Sequence, residues 1–328
     1  MTGVVALGDS ITVGVGDVGV STTGEHAAWS SARVDDDVPR VGWAAHLATL
    51  LGARTFTNLA TNGARARDVS GSQLGHALEL GPTVATLLVG GNDVLRSDFD
   101  PREVATHVSL SVAALRDAGA VVLLVRLPTI GLFDLLPGPV RRVMRRRIAA
   151  VNAAVDEIGA PRRPHGSVPL VLDAAGCMGR WGPEGWHVDR VHPSAAGHRR
   201  LALEAAHHLV RAGALGPAGG SGGGAEAVVL RAAALSALPP APPLTARLGW
   251  LVAEGIPWTV RRGRDLLPGL TRAIVEDLRA ERAARALPVS TFAGPRAVRD
   301  AANVDLAGAR LELPDLAALD RPVRRHRA

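Results

Sequence analysis

The run Val4-Val5-Ala6-Leu7-Gly8-Asp9-Ser10-Ile11-Thr12 decides the fold. Its four apolar residues make a short buried strand, and Gly8 ends it. The serine just behind it then sits at a strand-to-helix turn, its hydroxyl facing the crevice beyond the strand. Outward from this run the theme repeats at Arg54–Leu59, Val84–Val89, Val121–Val125 and Val168–Leu172. Helical spacing occupies the intervals near 41–51, 102–117, 140–158 and 194–212, with a weaker candidate near 66–80. Strands alternating with helices imply a parallel sheet covered on both faces, an α/β fold. Such sheets bind ligands beyond the carboxyl ends of their strands.

The whole chain has 328 residues, 37 cationic against 31 acidic, for a net charge of +6. At about 150 residues per domain that is one or two domains. All 37 cations are arginine. Without lysine, Schiff-base chemistry, a P-loop and a Ser-Lys dyad are excluded. Cys177 is the only cysteine, so neither an internal disulfide nor a cysteine-clustered zinc site can form. No apolar run reaches the roughly 18 residues of a membrane-spanning helix. Only Met1 and Thr2 precede the first strand, which leaves no room for a secretory signal and makes the cytoplasm the expected compartment.

Composition changes after residue 213. Gly213–Ala225 contains six consecutive Gly or Ser residues at 219–224 and reads as a flexible linker. The expected organisation is a catalytic domain over 1–213, a Gly-rich linker over 214–225, a helical extension over 226–287 and an irregular basic tail over 288–328. Within the extension, Leu244, Leu248, Leu251 and Val252 have helical spacing, as do Leu270, Ile274 and Leu278. Trp250 and Trp258 lie near Arg261, Arg262 and Arg264. A membrane-interface helix and a helix docked on its own domain both fit that pattern, and the docked element is the expectation.

Four motifs fall where strands end: Gly8-Asp9-Ser10, Asn58 to Gly63, Gly90-Gly91-Asn92-Asp93, and Asp189-Arg190-Val191-His192-Pro193. A serine nucleophile needs a base, and the base an orienting group. The Asp-x-x-His spacing lets one turn set the Asp189 carboxylate against one imidazole nitrogen of His192 and leave the other for Ser10. Pro193 suits the first position of the following helix. The backbone N–H groups of Ser10 and Gly63 and the Asn92 side-chain amide can supply an oxyanion hole.

On these four blocks, in order over residues 8–193, the chain resembles the GDSL/SGNH hydrolases, although Ile11 stands where the family label has Leu. The resemblance implies a three-layer α/β/α, flavodoxin-like domain with a five-stranded parallel sheet. It implies Ser10 as nucleophile, His192 as base, Asp189 as its partner, and Ser10, Gly63 and Asn92 as oxyanion donors. Family members act as esterases, lipases, thioesterases and carbohydrate deacetylases without metal or organic cofactor. The expected substrate is therefore a small-molecule or lipid acyl ester. A lysophospholipase or thioesterase, an acyltransferase with the same site, and a non-catalytic binding module are the alternatives.

Other features are weighed against this reading. Asp9 and Asp93 are candidate pocket residues and equally candidate helix caps. His187 is a candidate pocket residue, whereas His198, His207 and His208 fit the last helix as structural or solvent-facing positions. Gly14-Val15-Gly16-Asp17-Val18-Gly19 matches a dinucleotide fingerprint, but it does not directly follow a strand and no helix follows it. Arg141, Arg142, Arg145 and Arg146 form one stripe of a helix opposite Val140, Val143, Met144, Ile148 and Val151. That stripe is a solvated face or a guide for anionic substrates. Nucleic acid is not an expected partner, because no aromatic-interleaved basic surface accompanies the arginines. The long segment Val13–Pro39, with Trp29 and Asp35-Asp36-Asp37, is a pocket wall or a plain insertion.

Overall fold

A computed structural model describes residues 3–17, 41–160, 168–174, 176–177, 182–214, 225–235, 245, 271–276 and 279. Trp29, the acidic triplet at 35–37, Gly19, the Gly-rich stretch at 219–224, the tryptophans at 250 and 258 and the tail after 287 lie outside them. Two units are distinguished, Met1–Ala284 and Arg285–Ala328, and the second lies wholly outside the described residues.

Five strands form one parallel sheet: β1 (Gly3–Gly8), β2 (Thr55–Asn58), β3 (Val84–Leu88), β4 (Val121–Val125) and β5 (Leu170–Leu172). Their order is β2-β1-β3-β4-β5, the flavodoxin-like arrangement. Strand order reverses between β1 and β3, and a crevice opens there beyond their carboxyl ends. All five residues of β3 are buried, as expected of a central parallel strand covered on both faces. The last strand is shorter than the sequence suggests, because Val168 is exposed and pairing begins at Leu170.

The helices are α1 (Ser10–Val13), α2 (Gly42–Leu51), α3 (Ala66–Asp68), α4 (Leu74–Leu80), α5 (Gly91–Val94), α6 (Pro101–Asp117), α7 (Gly138–Gly159), α8 (Ala195–Arg211) and α9 (Ala225–Leu235). On one side α2 packs on α8, and on the other α6 packs on α7 and on the α3–α4 region. Trp43, Leu47 and Leu50 of α2 join Leu7, Leu87, Leu88, Leu123 and Leu124 of the sheet in one core. The weak helical pattern at 66–80 is broken into three pieces. A π-helical turn, Val69–Gln73, separates α3 from α4. Such a turn adds a residue to the helical repeat and re-aims the side chains around it.

Three polar side chains tie these layers together. Asn152 of α7 accepts from the Leu127 N–H through Oδ1 at 2.8 Å and donates from Nδ2 to the Leu127 carbonyl at 3.0 Å, satisfying a buried peptide just past β4. His198 of α8 is fully buried; its Nδ1 accepts from the Trp43 N–H at 3.2 Å and its Nε2 donates to the Val15 carbonyl at 2.9 Å. It is structural, one of the two roles the sequence allows it. Asp17 Oδ2 accepts from the Gly42 N–H at 3.2 Å and lies 2.7 Å from His46 Nε2.

These contacts also explain the false dinucleotide fingerprint. A Cβ on Gly14, where φ is +99°, would meet the Gly42 backbone at 2.8 Å, and one on Gly16 would collide with the Pro193 carbonyl. The glycines permit close packing of the segment after α1 against α2 and the segment before α8. Beyond residue 224, α9 docks at the far end of α2. Val228 is buried, and Arg231 Nη1 donates to the Leu50 carbonyl at 3.1 Å, a cation on the last turn of a helix. Among the described residues no helix is long and apolar enough to cross a membrane.

Two stability measurements follow from these ties. Asn152→Leu leaves two buried peptide groups without partners and should lower the unfolding free energy by about 2–4 kcal/mol in urea titrations. A loss below about 0.5 kcal/mol would mean that the peptide finds other partners. His198 has its pKa pushed down to about 4 by burial, with Asp17 opposing, from 6.5. The folded ring stays neutral where the unfolded one is protonated, so its contribution is full above about 6.5 and is lost toward about 4. Stability should fall across that window by up to about 1.4 kcal/mol per pH unit, and His198→Gln should flatten the slope. An unchanged slope in the variant would assign the acid sensitivity to other groups.

Candidate active site

Gly8 begins the site. Its φ is +149°, and a Cβ there would run into the Leu88 carbonyl of the neighbouring strand, so only glycine lets β1 end against β3. The next residue, Asp9, caps α1: its Oδ1 accepts from the Ile11 N–H at 3.0 Å. Ser10 is therefore the first residue of a short helix set on a strand end. Asn58 holds that helix from below, donating from Nδ2 to the Thr12 carbonyl at 2.8 Å.

His192 reaches Ser10 from the other end of the sequence. The segment before α8 folds back on itself, with the His187 N–H donating to the His192 carbonyl at 2.9 Å and Trp186 bridging Pro193. Inside this turn the Asp189 carboxylate is the organising group. Oδ1 accepts from the backbone N–H groups of Val191 (2.8 Å) and His192 (3.0 Å). Oδ2 lies 2.6 Å from His192 Nδ1 and 3.3 Å from His187 Nδ1. The tight turn needs Arg190 at φ +54°, the one non-glycine residue with positive φ among those described. On the far side of the ring, His192 Nε2 stands 2.8 Å from Ser10 Oγ.

Burial alone would raise the Asp189 pKa, but the hydrogen bonds from His187 and His192 and the charge of His192 hold it well below the usual carboxylate range. Asp189 thus stays ionised, able to fix the imidazole tautomer with Nδ1 protonated and Nε2 free to accept. Pro193 does not open the helix, contrary to the sequence expectation. Ser194 takes the cap, its Oγ accepting from the Gly197 N–H at 3.1 Å, and α8 starts at Ala195. Pro193 stands one residue before that cap.

The second and third motifs converge on the same crevice. Gly63 has φ +80°, and the space where a Cβ would project is open, so backbone conformation rather than crowding calls for glycine. Among the described residues neither the Ser10 nor the Gly63 N–H has a protein acceptor. Asn92, in α5, is buried and donates from Nδ2 to the Ala64 carbonyl at 3.1 Å. Its neighbour Asp93 accepts from Arg65 Nε and from the Ala66 N–H, both at 3.1 Å. Two consecutive residues of the third motif therefore grip the three residues that directly follow the second.

Asp9 and Asp93 both serve as local braces. Burial pushes the Asp9 carboxyl up to about 7, with the Ile11 N–H and His192 pulling it down. Of the three candidate pocket residues, His187 alone touches the Asp189–His192 pair, through the shared Asp189 oxygen. His207 and His208 belong to the body of α8, well past its first turn. Among the described residues no group of three or more His, Cys, Asp or Glu side chains could hold a metal ion.

Sequence reasoning passed over Gln73, Arg65 and Arg147. Gln73 lies in the π-helical turn, with its amide on the Gly8 peptide. Arg65 is almost wholly buried; burial alone would lower its pKa, but Asp98 and Asp93 together raise it. Arg147 is buried among the apolar residues of α7, donates to the Val94 and Arg96 carbonyls at 2.9 and 2.7 Å, and lies 5.1 Å from the Phe99 ring centre. It anchors the end of α5 behind Asn92. One signal was available for two of them. Gln73 falls four residues after Val69 and four before Ala77, and Arg147 falls three after Met144 and four before Val151, so both interrupt an apolar stripe.

Comparison with known proteins places this geometry in context. No curated protein matches the chain. Among solved structures, a lipase from a goat rumen metagenome is 18% identical with a TM-score of 0.46, over 63% of this chain and 97% of its own. An α/β hydrolase from the metagenome of Lake Arreo, Spain, is 21% identical with a TM-score of 0.47, over 66% and 97%. An acetylxylan esterase from Geobacillus stearothermophilus is 20% identical with a TM-score of 0.46, over 63% and 94%. The model of the GDSL-like Lipase/Acylhydrolase family matches residues 6–200, a span that holds all four motifs. The chain belongs to that family and is a hydrolase of ester bonds.

Proposed function

We propose that the protein cleaves carboxylic esters through an acyl-enzyme on Ser10. The observation that carries this reading is the unbroken relay from Asp189 Oδ2 to His192 Nδ1 at 2.6 Å and from His192 Nε2 to Ser10 Oγ at 2.8 Å. His192 takes the Ser10 proton as Oγ attacks the acyl carbon. The imidazolium that results lies against the ionised Asp189, which compensates its charge. The oxygen of the tetrahedral intermediate is met by the Ser10 and Gly63 backbone N–H groups and the Asn92 amide. Donors held in place by the fold need little reorganisation as charge develops. Collapse expels the alcohol with the proton from His192, leaving the acyl group on Oγ. Water then repeats the sequence, giving its proton to His192, and releases the acid with Ser10 restored.

Every bond in this cycle is made or broken with groups of the protein, substrate and water, so it requires neither metal nor organic cofactor. The arginine stripe runs along α7. Arg145 lies 2.7 Å from Asp134, and Arg142 and Arg146 are exposed along the same helix.

A fluorophosphonate reagent should label the wild-type protein and leave Ser10→Ala unlabelled. Kcat on a short-chain p-nitrophenyl ester should fall by on the order of 10⁶-fold in that variant. Equal labelling of both proteins would remove Ser10 from the mechanism. For the hole, Asn92→Ala should lower kcat by about 10²–10³-fold with KM little changed. A change confined to KM would make Asn92 a ground-state binding residue instead.

A further inference from the structure

Where β1 ends, its hydrogen-bond ladder with β2 is incomplete. The register pairs Gly3 with Thr55 through to Ala6 with Asn58. The ladder continues on one side, since the Leu59 N–H donates to the Ala6 carbonyl at 2.8 Å and the Thr61 N–H to the Gly8 carbonyl at 3.2 Å. By the same register the Gly8 N–H would next donate to the Leu59 carbonyl. It does not; it donates to Gln73 Oε1 at 2.8 Å. The same amide returns Nε2 to the Gly8 carbonyl at 2.9 Å, and Nε2 also lies 3.4 Å from Thr61 Oγ1. Gln73 is buried and reaches this place from a π-helical turn.

A side-chain amide here does what a peptide of β2 would otherwise do. The strand that should supply that peptide turns away at Leu59–Ala60, and the turn is what carries the chain to Gly63. One buried amide therefore touches both lines of the oxyanion hole: Gly8, two residues before Ser10, and Thr61, two residues before Gly63. Its geometry is bidentate, so it restrains the orientation of the Gly8 peptide as well as its position.

We propose that Gln73 is a positioning residue for ester hydrolysis: it fixes the separation of the Ser10 and Gly63 N–H groups by standing in for the departed strand. The proposal rests on the reading of Ser10 and Gly63 given above. A displacement of the hole by an ångström weakens the transition state far more than the bound ester, so the effect falls on kcat.

The test compares Gln73→Met, close in volume and without either hydrogen bond, with Gln73→Glu. Rates are expressed per fluorophosphonate-reactive serine, which removes any loss due to misfolded protein. Gln73→Met should lose about 10²-fold in kcat per reactive serine, with KM within about threefold of wild type. Gln73→Glu behaves differently with pH. Its protonated carboxyl accepts from the Gly8 N–H and donates to the Gly8 carbonyl as the amide does, whereas the carboxylate faces that carbonyl with a lone pair. Burial raises a carboxyl pKa, so the ratio of this variant's kcat to wild type should climb about tenfold or more from pH 8.5 to 6. Asp9 beside Gly8, Asp68 and His107 beside the π-helical turn and His192 in the site are common to both proteins, and the ratio isolates the new carboxyl. A purely structural Gln73 would shift the melting temperature and leave both readouts unmoved. Kcat per reactive serine within about threefold of wild type in Gln73→Met, or a flat ratio for Gln73→Glu, overturns the proposal. If Gln73→Met does not fold, the Gln73→Glu ratio decides alone. Ester hydrolysis persisting in Ser10→Ala would instead overturn the nucleophile assignment beneath it.

Discussion

The pairing of Gly8 with Leu88 is the constraint on which the site depends. It sets the carboxyl ends of β1 and β3 side by side at the point where strand order reverses. A side chain at Gly8 would meet the Leu88 carbonyl, so the two strands come this close only with glycine there. Ser10 leaves one of these ends and Asn92 the other. The turn of Asp189–His192, although far along the chain, has only to reach over this seam. Its approach is fixed by Trp186 and Pro193 and by the cap on α8.

Ending several strands at one crevice exposes peptide groups that a longer ladder would have satisfied, and buried groups of this kind are costly unless paired. The fold answers with side-chain amides. Asn58 reaches the Thr12 carbonyl, Gln73 the Gly8 peptide, Asn92 the Ala64 carbonyl and Asn152 the Leu127 peptide. Of these, Gln73 and Asn152 are bidentate and come from helices on the same side of the sheet. An amide is suited to the task because it carries a donor and an acceptor on one planar group, and so can meet both the N–H and the C=O of one residue. Beside the second and third motifs an Asp–Arg contact takes the remaining work, with Asp93 and Arg65 holding the two loops together.

What could be read in advance, and what could not, divides along this line. Strands such as Val84–Leu88 announce themselves by composition, and the motifs stand at the ends of such runs, so the α/β architecture and its crevice were legible. Asp189 and His192 were legible because a three-residue spacing closes within one turn. Pro193 misled, because Ser194 behind it offers a side-chain acceptor for the Gly197 N–H that a proline lacks. The helix near 66–80 read weakly because a π-helical turn breaks its period. Gln73 and Arg147 were missed because their partners are backbone groups more than fifty residues away, and nothing local marks a carbonyl as needing a donor.

Helix α2 links the segment behind Ser10 to α9. Its first residue, Gly42, lies against Gly14 just past α1, and its last turn receives Arg231 of the segment beyond the Gly-rich stretch. Ten residues of helix span roughly 15 Å, so that docking point stands about this far from the segment behind Ser10. Helix α9 is thereby held where the strands begin, beside the start of β2, at the opposite end of α2 from Gly14. Changes in α9 therefore fall on the end of the sheet opposite the strand ends that carry Ser10 and Asn92.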